Sequence, residues 1–298
     1  IPVLTHNLLN SITENIIDYE QYTNNNLLTD FVFYCFLLGN DFIPKIPSLN
    51  IRDGSIQRLI TIYSSIINEL NNYLIVNNKI NLDFFNKLLE NLTYLEEDTL
   101  KTYTYYNNKK IWKYDGNDIY EEQLFNYENL IPKQNSILDL GLNDYKYRYY
   151  NTYYNICYEK EKENIDNICK SYINSLQWTF HYYINTCIDW RWCYPYYVAP
   201  FISDLLNFTI NNSNIINDLS IFNSNNKPFS SIEQLLLILP QTSNHLLPTK
   251  YQYLQQSDSP ILYLYPNSFD EFTENIRYRW QSIPKLPYLN HNIISNYE

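Results

Sequence analysis

The sequence predicts a mainly α-helical protein, and three observations carry that reading. A twelve-residue apolar segment spans 27–38, two amphipathic stretches follow within residues 55–95, and two long helical patterns fill 142–186. The segment LLTDFVFYCFLL at 27–38 is apolar on nearly every side, so periodicity alone leaves a buried helix or a buried strand open; its length favours the helix. Gly39 ends it, and Pro44 and Pro47 keep the next stretch extended.

From Ser55 the residues Ile56, Leu59, Ile60, Tyr63, Ile66, Ile67 and Leu70 recur at helical spacing, predicting a helix to about Asn71. Asn81 is a candidate N-cap for a second helix whose apolar face is Phe84, Phe85, Leu88, Leu89, Leu92 and Leu95. Residues 98–135 are polar, rich in Tyr and Asn, and carry Lys109, Lys110 and Lys113, so they read as an insertion or a long mobile connection. Of the two helical patterns in 142–186, the first is rich in Tyr. The second runs from about Glu161 through Ile165, Ile168, Tyr172, Leu176 and Phe180. After Pro195 short apolar blocks alternate with prolines, which predicts extended segments and short helices wrapped over a core.

With 298 residues, 45% hydrophobic and 18% charged, the chain has the balance of a globular protein and the length for one large or two ordinary domains. It holds 32 Tyr but only 4 Gly and no Met. A coding bias toward A and T accounts for the excess of Tyr, Asn and Ile, so single Tyr and Asn residues carry no functional weight. The absence of Met, even at position 1, leads to the expectation that the chain is a piece of a longer protein. No apolar run approaches the roughly 20 residues of a membrane span, and no leader pattern is present. Five cysteines without CxxC spacing predict reduced thiols in an intracellular protein. A net charge of −11 excludes a simple basic clamp for nucleic acid.

Two constellations bear chemistry. In LLGNDFIP, Gly39 lets the chain turn and Asn40 and Asp41 emerge together. On spacing alone Asp41 is a turn or cap residue; an emerging carboxylate is also a candidate ligand for Mg²⁺, which takes one or two carboxylates plus water and phosphate. Asp30, eleven positions earlier, reads as a carboxylate near a helix N-terminus. The second constellation is Trp190, Arg191, Trp192, Cys193, Tyr194, Pro195, Tyr196 and Tyr197. In an extended segment the two tryptophans point to opposite sides, one into the core and the other available to stack on a base, unless both simply anchor the fold. His6, His181, His245 and His291 are scattered with no ligand spacing, and no phosphate-binding glycine loop or nucleophile elbow is present.

Five blocks in order then resemble the XRN family of 5′-to-3′ exoribonucleases. These are DFVFYCFLLGNDFIPKIPSLNIRDGSIQRLI at 30–60, YINSLQWTFHYYINTCIDWRWCYPYYVAPFISDL at 172–205, KPFSSIEQLLLILPQTSNHLLP at 227–248, DSPILYLYP at 258–266 and YRWQSIPKLPYL at 278–289. The resemblance implies the helical domain of an XRN nuclease over 51–298, with residues 98–135 as a variable insertion. It also implies the last elements of a PIN-like α/β nuclease core over residues 1–50. It implies a processive, metal-dependent nuclease acting on single-stranded RNA with a 5′-monophosphate, with Mg²⁺ or Mn²⁺ as cofactor and an intracellular place, cytoplasmic or nuclear. Asp41 matches the last acid of the family's metal cluster, and Trp190 or Trp192 the region of its base-stacking tryptophan. The other acids and the basic 5′-phosphate pocket belong to an N-terminal nuclease segment preceding residue 1, so the chain alone is expected to be inactive. Lys45, Asp53 and Val198 depart from the family's usual residues. Two rivals from other classes are a non-catalytic RNA-binding or scaffold relative and an aromatic-lined carbohydrate-binding module; the helical pattern opposes the second.

Overall fold

The computed structural model describes residues 2–109, 113–129, 139, 142–272, 278–287 and 294. Of the residues singled out above, Lys110, His291 and the side chains of His6 and Lys109 lie outside that set. The described residues are helical with two minimal hairpins, and they form two compact units.

The first unit comprises Ile1–Tyr106, Ile137–Ile188 and Cys193–Phe222. The apolar segment of the sequence is helix α2, Asn24–Cys35, continued by one 3₁₀ turn, Phe36–Leu38. Being apolar all round, it has neighbours on several sides. The Phe33 ring meets the edges of Phe36, of Phe85 on α4 (Leu82–Lys109) and of Phe180 on α7 (Lys162–Ile184), at 5.9, 6.1 and 5.9 Å. Helix α1, Pro2–Thr13, and helix α3, Ser55–Leu70, also pack on it. Residues 2–50 are therefore helices and connecting loops within the same compact unit as α3.

Helix α3 matches its predicted span. Gly54 at φ +74° precedes it, and Asn71 closes it in the left-handed region, donating its N–H to the Ile67 carbonyl. Asn77 and Asn78, both at positive φ, turn the hairpin between β1 (Ile75–Val76) and β2 (Lys79–Ile80), as a two-residue hairpin loop requires.

Two expectations are corrected here. Asp30 is not near a helix N-terminus: α2 begins at Asn24, and the Asp30 carboxylate is fully buried. It accepts hydrogen bonds from Tyr63 Oη and from the N–H groups of Leu74 and Ile75, each at 2.8 Å. Of the two readings of 98–135, an insertion or a long mobile connection, the second gives way to helix over 98–109, where α4 runs on, and over helix α5, Ile119–Glu128; residues 110–112 and 130–135 are outside the described set. Polar residues at and just before the start of that stretch have distant partners. Thr99 accepts from Arg58, and Glu96 accepts from the N–H of Ile202 at 2.8 Å and the hydroxyl of Ser203 at 2.5 Å, holding the N-terminus of α8, Ile202–Asn211.

The Tyr-rich helix α6, Tyr145–Tyr154, ties down the segment before α8. Tyr149 donates to the Ala199 carbonyl, Tyr154 and Tyr194 to the Val198 carbonyl, and Tyr150 to Asp204, all at 2.6–2.9 Å. Lys146 pairs with the same Asp204 at 2.8 Å. The departure at Val198 costs this network nothing, because position 198 contributes its backbone oxygen.

The second unit comprises Asn107–Ser136, Asp189–Trp192 and Asn223–Glu298. Its core is Leu236 of helix α9 (Ser231–Ile238) with Leu247, Tyr251, Leu254, Ile261 and Ile294. A hairpin pairs β3, Glu271–Phe272, with β4, Ile283–Pro284. Among the described residues no helix is long and apolar enough to cross a membrane, and none of the five cysteines forms a disulfide.

Candidate functional site

Asp41 stands on a turn that only glycine can open. Gly39 adopts φ +83°, and a Cβ there would lie 2.7 Å from the Lys45 backbone nitrogen. Past that point the chain doubles back, with Ile46 N–H donating to the Leu37 carbonyl at 3.0 Å. Asn40 folds the turn on itself. Its side-chain oxygen accepts from Phe42 N–H at 2.8 Å and Ile43 N–H at 3.0 Å, while its own N–H donates to the Ile43 carbonyl at 3.0 Å.

The turn is fastened to α7. Tyr172 Oη donates to the Pro44 carbonyl at 3.1 Å, and the Phe42 ring meets Trp178 and Tyr182 edge-on at 5.2 and 5.0 Å. Trp178 and Tyr182 are themselves stacked, 5.3 Å apart and 6° from parallel. Between these anchors Asp41 is exposed, and none of the bonds that shape the turn uses its carboxylate. An exposed carboxylate on a braced turn fits one oxygen ligand of a hard divalent cation. Among the described residues no cluster of three or more His, Cys, Asp or Glu could hold a metal.

The tryptophan pair belongs to the second unit and occupies a turn, where an extended segment was predicted. The cause is Asp189, buried, which accepts from Arg191 N–H at 2.9 Å, Asn223 N–H at 2.9 Å and Asn226 Nδ2 at 2.8 Å. Arg191 is held in place by Glu233 at 3.2 Å, the Lys227 carbonyl at 3.3 Å and the Phe229 ring at 4.8 Å. The alternation argument therefore gives way to turn geometry. Trp190 is 49% exposed, and Trp192 is partly buried.

Sequence reasoning passed over Trp280, at 73% the most exposed of the described tryptophans whose exposure stands out. It stacks on Tyr278 at 5.9 Å and 11°, beside Arg279, which lies over the Tyr127 ring at 4.9 Å and 3.4 Å from Glu271. The signal was present in the block YRWQSIPKLPYL, where a Trp flanked by Arg and Gln stands in a proline-bounded segment.

The family model described as Xrn1 helical domain matches residues 21–137 and 121–296. Among curated proteins the chain is 28% identical to human 5′-3′ exoribonuclease 1 over 333 aligned residues, covering 96% of this chain and 19% of that protein. It is 26% identical to the 5′-3′ exoribonuclease 2 homolog of Drosophila melanogaster, covering 91% of this chain and 34% of the relative. It is 28% identical to 5′-3′ exoribonuclease 2 of Arabidopsis thaliana, covering 88% and 33%. The chain thus spans between about a fifth and a third of the relatives it matches. By the extent of the matched residues, the chain belongs to the Xrn1 helical domain family.

Proposed function

We propose that the full-length protein is a 5′-to-3′ exoribonuclease that removes nucleotides processively from single-stranded RNA bearing a 5′-monophosphate, inside the cell, in cytoplasm or nucleus. The observation that carries this reading is the exposed Asp41 carboxylate on a glycine-opened, α7-braced turn, in a chain whose relatives are named 5′-3′ exoribonucleases. In this reading residues 1–50 are the end of a PIN-like nuclease core, 51–298 the helical domain with 98–135 its variable part, and an N-terminal nuclease segment supplies the remaining acids.

Asp41 would hold Mg²⁺ or Mn²⁺ through one oxygen. The ion, when bound, activates the attacking water and stabilises the leaving oxygen of the phosphodiester. The chain's own residues position: the turn sets where the Asp41 carboxylate stands, and a tryptophan face, at Trp190 or the partly buried Trp192 or at the exposed Trp280, supports a base without reading its identity. Such a face suits stepwise digestion, because every base stacks about equally well.

The test is turnover of 5′-monophosphorylated RNA by the full-length protein in Mg²⁺. Asp41→Ala is expected to lower the rate at least about a hundredfold, the scale of losing a metal's charge stabilisation. The melting temperature should stay within about two degrees, since an exposed side chain contributes little. Unchanged turnover in the variant sinks the metal-ligand assignment, and an inactive wild type favours a non-catalytic RNA-binding or scaffold relative.

A further inference from the structure

The Asp41 turn is braced from two directions by groups that leave the carboxylate alone. From within, Asn40 accepts two backbone N–H groups, at 2.8 and 3.0 Å, which fixes the backbone on either side of Asp41. From outside, Phe42 seats its ring against Trp178, Tyr182 and Tyr183, at 5.2, 5.0 and 6.4 Å. Trp178 is itself buried, so this seat belongs to the body of α7 and not to a loose surface patch. Gly39 cannot substitute for these braces. It permits the turn and donates its N–H to the Phe36 carbonyl at 2.9 Å. The second polar atom of Asn40, Nδ2, is buried and has no acceptor among the described residues, so the side chain's bonds at this turn are those of its oxygen.

We propose that Asn40 and Phe42 are positioning residues for Asp41, one holding the turn by its amide oxygen and the other by its aromatic seat, and that together they set metal affinity and leave RNA affinity alone. The proposal rests on the reading of Asp41 as a metal ligand. Groups that orient a metal's ligand typically govern affinity by 10–100-fold, roughly, because a ligand free to swing loses the geometry the ion demands.

The experiment measures Mn²⁺ affinity of the full-length protein by electron paramagnetic resonance, alongside KM for 5′-monophosphorylated RNA. Asn40→Ala is expected to weaken Mn²⁺ binding by roughly 10-fold or more while KM stays within about twofold. Asn40→Asp, which keeps the accepting oxygen, should restore binding to within about threefold. Phe42→Leu should weaken Mn²⁺ binding in the same direction, and Phe42→Tyr, which keeps the ring, should not. Should Asn40→Ala fail to fold, Asn40→Leu, similar in shape and without an acceptor, serves for the same measurement. Wild-type Mn²⁺ affinity in Asn40→Ala or Asn40→Leu, with Asp41→Ala having lost it, overturns the positioning role and leaves the ligand assignment standing. Wild-type Mn²⁺ affinity in Asp41→Ala removes the ligand assignment and this proposal with it. A raised KM with unchanged Mn²⁺ affinity in either the Asn40 or the Phe42 variants overturns the proposal in favour of direct RNA contact.

Discussion

Asp30 is a carboxylate sealed in the core of the first unit with three donors aimed at it. Burial pushes its pKa up to about 7, against the opposing pull of the Leu74 and Ile75 N–H groups and the Tyr63 hydroxyl. The folded pKa lies above the unfolded one, so between about pH 4 and 7 the folded state holds a proton the unfolded state has released. Its contribution is therefore fully present below about pH 4 and is lost as pH rises through 7. Thermal melts from pH 4.5 to 8 should show wild-type protein losing stability relative to Asp30→Asn as pH rises, and a constant difference would show that burial does not govern this group. For the tryptophans, exposure separates roles. Trp190→Ala and Trp280→Ala should leave the melting temperature nearly unchanged, and whichever carries a base should weaken RNA binding by about 1–3 kcal/mol in a fluorescence titration. Trp192→Ala should cost stability first, because it is partly buried in the turn that Asp189 organises. At this scale the sequence made Asp41 and the aromatic block visible through local spacing. It could not rank the tryptophans, since exposure depends on partners such as Glu233, far from Arg191 in the chain.

Helices α2 and α3 were legible in order and close to their bounds, because apolar recurrence, Gly39 and Asn71 are local signals. Helix α4 was legible only to about Leu95. Beyond it the apolar stripe fades, and the buried Glu96 and Thr99 are satisfied by Ser203 and Arg58, which no periodicity reports. Burial raises the Glu96 pKa while the Ser203 hydroxyl, Lys146 and the Ile202 and Ser203 N–H groups lower it. Glu96 thus serves as a cap supplied from α4 to α8. Glu96→Ala should destabilise the first unit by about 2–3 kcal/mol in urea denaturation, from uncovering buried donors at a helix N-terminus. A loss below about 0.5 kcal/mol would mean that water replaces the cap. The tyrosines of α6 teach the same point. Composition gave reason to discount them, yet their hydroxyls hold Val198, Ala199 and Asp204.

For the molecule as a whole, a net charge of −11 sets the electrostatic terms. Phosphate affinity comes from Lys and Arg, and 21 of these against 32 Asp and Glu leave a field that repels RNA at long range. The 298-residue chain by itself, at physiological salt, should neither retain nor degrade 5′-monophosphorylated RNA in Mg²⁺, and the full-length protein should do both. Gel-based digestion of labelled RNA by the two proteins checks this, and cleavage by the chain alone would show that Asp41 needs no further acids. The sequence by itself determined the helical class, the order and approximate span of the main helices of the first unit, the glycine-opened turn and the family, because each rests on spacing within a few residues or on motifs in order. Only the tertiary structure decided that Asp41 is exposed while Asp30 is sealed, that α4 runs to Lys109, and that Arg191 is pinned while Trp190 is open. In each case the outcome is set by polar partners and aromatic seats that meet only once distant stretches of the chain have packed, and no local pattern encodes that meeting.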